Sequence, residues 1–222
     1  MHRVLNQLVN MAKAKPTLSF LFLFHVLFFV TLLEPSNSQP ATAPKTDFIK
    51  SSCRSTRYPA LCVQCLSGYA ASVQQDPRQL ARAALQVSLA RAHAANSYVA
   101  RLSRLQSITP RESQAVRDCV QNVGHSVSRL SQSVDELGQM GGQGAAAVGE
   151  AFDWHMSNVQ TWVSGALTDE NTCLDGFARP GLEGGVKKAV RGRVVELAQV
   201  VSNALALVDR YGSRHRGSKG QP

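Results

Sequence analysis

Residues 109–137 read TPRESQAVRDCVQNVGHSVSRLSQSVDEL, and this stretch decides the fold. Thr109-Pro110-Arg111-Glu112 carries the pattern of a helix start. A threonine oxygen can accept from the backbone three residues on, a glutamate can reach back, and proline fills the first position, where no donor is needed. Val116, Val120, Val123, Val127, Leu130, Val134 and Leu137 then recur at alternating spacings of four and three. A period of two would place such residues on one face of a strand. The period of 3.5 places them on one stripe of a helix that packs against other helices. Valine is a modest helix former, but a buried stripe outweighs propensity.

Three more segments repeat the pattern. Asp76-Pro77 reads as an N-cap followed by proline, and Leu85, Leu89, Ala92, Val99 and Leu102 form a stripe that ends near Leu105. The glycine-rich run from Gly138 to Gly144 closes the helix that Thr109 opened. A third long helix is expected from about Ala145, with Val148, Phe152, Met156, Val159, Val163 and Ala166 inward. After a connection from Asp175 to Gly185, a fourth is expected over Val186–Tyr211, with Val190, Val194, Leu197, Val201, Ala204, Val208 and Tyr211 inward and Gly212 as its cap. Upstream, Thr46 to Ala71 reads as two short helical pieces broken at Arg57-Tyr58-Pro59. Short connections make neighbouring helices antiparallel. The expected fold is therefore all-α: an antiparallel up-down-up-down four-helix bundle over residues 46–212 with an N-terminal helical hairpin and two disulfides. Residues 39–45 read as a linker and 213–222 as a basic disordered tail.

The first 38 residues are of another kind. Arg3, Lys13 and Lys15 precede an apolar run from Leu18 to Leu33, then Pro35 and the small polar Ser36-Asn37-Ser38. Sixteen residues is short for a membrane span, and the small-residue exit fits a cleaved signal peptide. Secretion implies an oxidising compartment, in which cysteines pair. Cys53 and Cys62 bracket a short loop. In an up-down-up-down bundle Cys119, early in the second long helix, lies beside Cys173, late in the third. Cys65 is then the spare thiol. Cys62-Val63-Gln64-Cys65 lacks the βαβ setting of a redox dithiol, and the six histidines are scattered singly, so neither a metal nor another cofactor is expected.

The formal charge is +9, with aromatics at 6% and no reading motif, which argues against nucleic acid and for a polyanionic matrix as the electrostatic partner. Catalysis needs convergent groups in a cleft. Asp153 and His155 are two apart on a helix and diverge; His125 with Ser126 or Ser128 has no nucleophile elbow. Asp169 and Glu170 near Asp175 read as helix-end capping. No catalytic residue is assigned. What stands out is a face of short uncharged groups beside the second-helix stripe, including Ser113, Asn122, Ser126, Ser128, Ser131 and Ser133 with Arg129. Such a face can meet a partner with little side-chain entropy loss.

Two strings give the chain a family likeness. Ser52-Cys53-x-x-Thr56-Arg57-Tyr58-Pro59-x-Leu61-Cys62 and Ala166-Leu167-Thr168-x-x-x-Thr172-Cys173-Leu174-Asp175-Gly176-Phe177, on this helix layout, resemble the plant invertase and pectin methylesterase inhibitor family. The likeness spans about Thr46 to Tyr211. It implies a secreted, non-enzymatic protein of the apoplast or cell wall, monomeric when unbound and free of the membrane once its signal is cleaved, bridged Cys53–Cys62 and Cys119–Cys173. It implies a one-to-one complex that covers the substrate cleft of a pectin methylesterase, with an invertase as the alternative target and pectin as a further electrostatic contact. The second, third and fourth long helices are implicated. Ser126, Arg129, Ser133, His155 and Asn158 are the expected contact residues.

Overall fold

The structure, a computed structural model, describes residues 43–105, 107–140 and 150–217. The expected leader (1–38), most of the linker, the glycine-rich turn and the third-helix residues before Glu150 lie outside these. Every regular element among the described residues is helical. In order they are α1 (Ala43–Cys53), α2 (Pro59–Leu66), a 3₁₀ turn (Ser67–Tyr69), α3 (Ala70–Val73), α4 (Pro77–Leu102), α5 (Pro110–Gln139), α6 (Glu150–Gly176) and α7 (Gly185–Gly217).

The long helices start where the sequence places them. Asp76 accepts from the Arg78 amide (2.8 Å). Thr109 and Glu112 form a complete capping box: the Glu112 amide donates to Thr109 Oγ1 (3.2 Å), and the Thr109 amide donates to Glu112 Oε2 (2.9 Å). The four pack in a ring, α4 on α5, α5 on α6, α6 on α7 and α7 back on α4. The α4–α7 groove is therefore on the opposite side of the bundle from the α5–α6 groove. The interior is filled by Leu85, Val116, Val123, Leu130, Leu137, Met156, Val159, Val163, Val194 and Val201, all fully buried.

Both disulfides form as expected. Cys53–Cys62 closes the α1–α2 hairpin, Cys119–Cys173 joins α5 to α6 with Cα atoms 4.4 Å apart, and Cys65 is free. The hairpin is also clasped by α7. Asn203 accepts from the Tyr58 amide (3.0 Å) and donates to the Tyr58 carbonyl (2.9 Å), while Thr56 Oγ1 donates to Cys53 O (2.8 Å). These contacts give the Ser-Cys-x-x-Thr-Arg-Tyr-Pro string a structural purpose: the turn it forms is tied to α7 through the Tyr58 backbone, and its Ser52, Cys53 and Thr56 side chains are buried.

Two boundaries differ from the sequence reading: α1 begins at Ala43, inside the expected 39–45 linker, and α7 runs past its expected end. Helix α7 continues past Gly212 to Gly217, so residues 213–217 are helical rather than part of a tail. Gly212 is buried within the helix, where a Cβ would lie 3.1 Å from Met156 Cε. The extra turn has a packing reason, because the His215 ring stacks on Phe152 with centroids 3.8 Å apart. Glycine at 212 allows α6 a close approach and does not end the helix.

Candidate partner-binding face

The α5–α6 pair differs from the rest of the bundle in what it buries. On α5 the buried line runs Val116, Cys119, Val123, Ser126, Leu130, Ser133, Leu137, whereas Val120, Val127 and Val134 are only half-buried. The inward stripe is thus wider than a heptad seam and shifted toward α6. Small side chains at 119, 126 and 133 let the two helices approach, and their polar atoms are satisfied internally. Ser126 Oγ donates to Glu170 Oε1 (2.7 Å) across the interface, and Ser133 Oγ donates to Arg129 O (2.8 Å).

This corrects part of the expected contact set. Ser126 and Ser133 are wholly buried and cannot meet a partner. Glu170 is also wholly buried, so it is no helix cap. Burial pushes its carboxyl up to about 8, with the neighbouring Asp169 adding to the rise and the Ser126 hydrogen bond opposing it. Its second oxygen, Oε2, has no hydrogen-bond partner among the described residues.

The other three expected residues lie along the α5–α6 junction. Arg129 Nε donates to Asp169 Oδ2 at 2.9 Å, with 43% of the arginine side chain exposed. Gly165 makes room for it: a Cβ there would be 3.0 Å from Arg129 Cδ and Nη1. His155 Nδ1 is 2.8 Å from Glu136 Oε1, and Asn158 Nδ2 donates to the same oxygen at 2.9 Å. His155 and Asn158 are therefore partly buried and held by α5, and their exposed edges alone can reach outward.

The short uncharged face anticipated on α5 is more complete on α6. Trp154, Ser157, Thr161, Ser164, Thr168 and Asn171 recur at spacings of three and four, and all are exposed. Thr168 Oγ1 donates back to Ser164 O (3.0 Å), which settles its rotamer. Trp154 is 61% exposed and is the largest apolar side chain offered to solvent among the described residues. Sequence reading passed over it. The signal was there, since a residue two beyond the inward Phe152 must face away from the core.

At the far end of the same pair, a groove of about 910 Å³ opens beside the Cys119–Cys173 bridge, with Arg111, Asp118, Asn122 and Arg179 among its polar lining and Ala115 and Leu182 among its apolar lining. Among the described residues no group of three or more His, Cys, Asp or Glu could hold a metal ion, and no helix is long and apolar enough to cross a membrane. What the pair presents is a stiff surface, bridged at one end and carrying an exposed tryptophan at the other.

Comparison with known proteins agrees with this architecture. Residues 47–207 match the family described as plant invertase/pectin methylesterase inhibitor. The chain is 47% identical over 191 residues to pectinesterase inhibitor 9 of Arabidopsis thaliana, covering 85% of this chain and 92% of that one. It is 42% identical over 206 residues to pectinesterase inhibitor 11 of the same plant, covering 91% of this chain and all of that one. A crystal structure of a mutant pectin methylesterase inhibitor from Arabidopsis shares the fold, with a TM-score of 0.57 at 19% identity over 72% of this chain and 95% of the other. By the two cysteine strings, the four-helix ring with its clasped hairpin and these matches, the chain belongs to the plant invertase/pectin methylesterase inhibitor family.

Proposed function

We propose that this protein is an inhibitor of pectin methylesterase, not itself an enzyme, and that it acts by laying the α5–α6 face over the pectin-binding cleft of the esterase in a one-to-one complex. The observation that carries the reading is the stiff, outward α6 stripe of short polar side chains ending in exposed Trp154, in a chain whose matches span 92% and all of two proteins named pectinesterase inhibitors. Tryptophan and arginine dominate the energetics of protein interfaces, and Trp154 with Arg129 supplies both. Serine and threonine around them lose little rotamer freedom on contact. The exposed edges of His155 and Asn158 join that surface, with α7 contributing through Arg216, which reaches Asp153 at 3.4 Å. Residues 1–38 act as a cleaved leader, and the protein works outside the cell, in the wall, where the two bridges persist.

Titration of the oxidised protein covering residues 39–222 against a plant pectin methylesterase, with a plant invertase in parallel, tests this. Esterase activity falls to its floor at one equivalent while invertase is untouched. Loss of invertase activity alone reassigns the target, and no effect on either enzyme by a folded monomer overturns inhibition.

A further inference from the structure

On the opposite side of the bundle, between α4 and α7, lies a cleft of about 170 Å³ lined by Arg91, Ala94, Ala95, Tyr98, Arg101, Arg193, Glu196 and Leu197. We infer that this cleft is a binding site for the free carboxylate of a uronic-acid residue in an acidic polysaccharide. Four features support it.

The alanines at 94 and 95 create the space, since the flanking α4 positions toward α7 carry arginine and tyrosine. The charge in the cleft is not self-cancelling. Glu196 is consumed by Arg91, whose Nη1 lies 2.9 Å from Glu196 Oε1. Arg101 and Arg193 have no ion pair among the described residues, so the cleft keeps two free guanidiniums. Both are held in place: their guanidinium carbons lie 5.7 Å and 5.1 Å from the centroid of the Tyr98 ring, one from each helix wall. Cation–π contact orients an arginine without occupying its donors, which leaves two planar forks facing a common space. Carboxylates match that geometry in bidentate fashion. The volume admits one ring rather than a large ligand, and the cleft follows two antiparallel helices at the surface, so a polymer can cross it while one unit docks.

The position adds a consequence. A polymer held at α4–α7 leaves the α5–α6 face free for an esterase. Ester hydrolysis exposes the carboxylate that the guanidiniums recognise, and the esterified unit lacks it. The protein would thus be retained where de-esterification has already occurred. That consequence and the choice of galacturonate as ligand rest on the proposed esterase target; the carboxylate site itself does not.

The test needs no esterase, so its failure is separable from failure of the inhibition reading. Oligogalacturonate, its fully methylated counterpart and a sulfated polysaccharide are each titrated calorimetrically into the oxidised protein. Wild type binds the free acid and not the methyl ester. Arg193→Gln and Arg101→Gln each weaken binding at least tenfold with unchanged melting temperatures, while the exposed control Arg117→Gln on α5 loses less than twofold. Tyr98→Phe keeps the ring and retains binding; Tyr98→Ala does not. Equal weakening by the control, equal binding of the methyl ester, tighter binding of the sulfated polymer that ignores the cleft variants, or no binding by the acid would each overturn the site.

Discussion

Replacing Glu170 by glutamine removes a carboxyl that the fold seals between two helices and so keeps protonated well above the ordinary range. In the folded protein this group titrates near 8, against an ordinary value of 4.5, because it is sealed between α5 and α6. Between those two pH values the folded state holds a proton that the unfolded chain has released. Stability is therefore full below pH 4.5 and falls as pH rises toward 8. The whole effect is on the order of 5 kcal/mol, at 1.36 kcal/mol per pH unit of displacement. Integrated from pH 5 to pH 7.5, wild type loses roughly 3 kcal/mol that the variant keeps.

Glutamine preserves the shape and still accepts from Ser126, but its amide brings two N–H donors to where Oε2 has no partner. That costs about 1–3 kcal/mol at every pH and shifts the intercept, not the slope. Urea unfolding of both proteins from pH 4.5 to 8 separates the two effects. With m near 1–3 kcal/mol/M, the wild-type midpoint falls by roughly 1–4 M relative to the variant across that range. Parallel wild-type and Glu170→Gln curves would refute the reasoning, because all other titrating groups are common to both.

Three further outcomes follow from the same helices. Trp154→Ala leaves the melting temperature within a degree or two and weakens esterase inhibition by about tenfold or more, measured as the shift in a tight-binding titration; unchanged potency removes Trp154 from the interface. The paired substitution Cys119→Ser with Cys173→Ser opens a loop of sequence separation 54. It costs about 4 kcal/mol on the chain-entropy estimate, read from urea midpoints under non-reducing conditions. Gly165→Ala pushes Arg129 off Asp169 with little change in stability, since a pair whose arginine is half-exposed contributes on the order of 1 kcal/mol. Inhibition should fall with it as it does in Arg129→Ala, and full potency in both would exclude the pair from the contact surface.

The architecture was legible in the chain because its signals are local. Asp76-Pro77 and the Thr109 capping box mark helix starts through bonds made within one turn, and the interior lines of α6 and α7 were read nearly residue for residue. The pairing of Cys119 with Cys173 followed from antiparallel order alone. Gly212 misled for a physical reason. A glycine after an apolar stripe is the usual helix stop, but here its missing Cβ accommodates Met156 from α6, a contact that no local pattern announces.

The proposed contact face was less legible, because whether a serine is a surface residue or an interface spacer depends on the neighbouring helix. Ser126 and Ser133 follow the seam residues Val123 and Leu130 at i+3, a position that is inward only if the adjoining helix comes close on that side. Glu170 on α6 needs such a neighbour, since a buried carboxyl requires at least one donor, and Ser126 is that donor. Ser126 and Glu170 are therefore one feature divided between two helices, 44 residues apart in the chain. Read singly, the serines looked like an exposed face and the glutamate like a cap. The same close packing turns the rest of α6 outward, and the face inferred for α5 reappears there as Ser157, Thr161, Ser164 and Thr168 with Trp154 at its end. Part of the face stays on α5, where Ser128 is exposed and Ser113, Asn122 and Ser131 are half-buried, because periodicity gives the angle between residues on one helix and not the direction from which the next helix approaches.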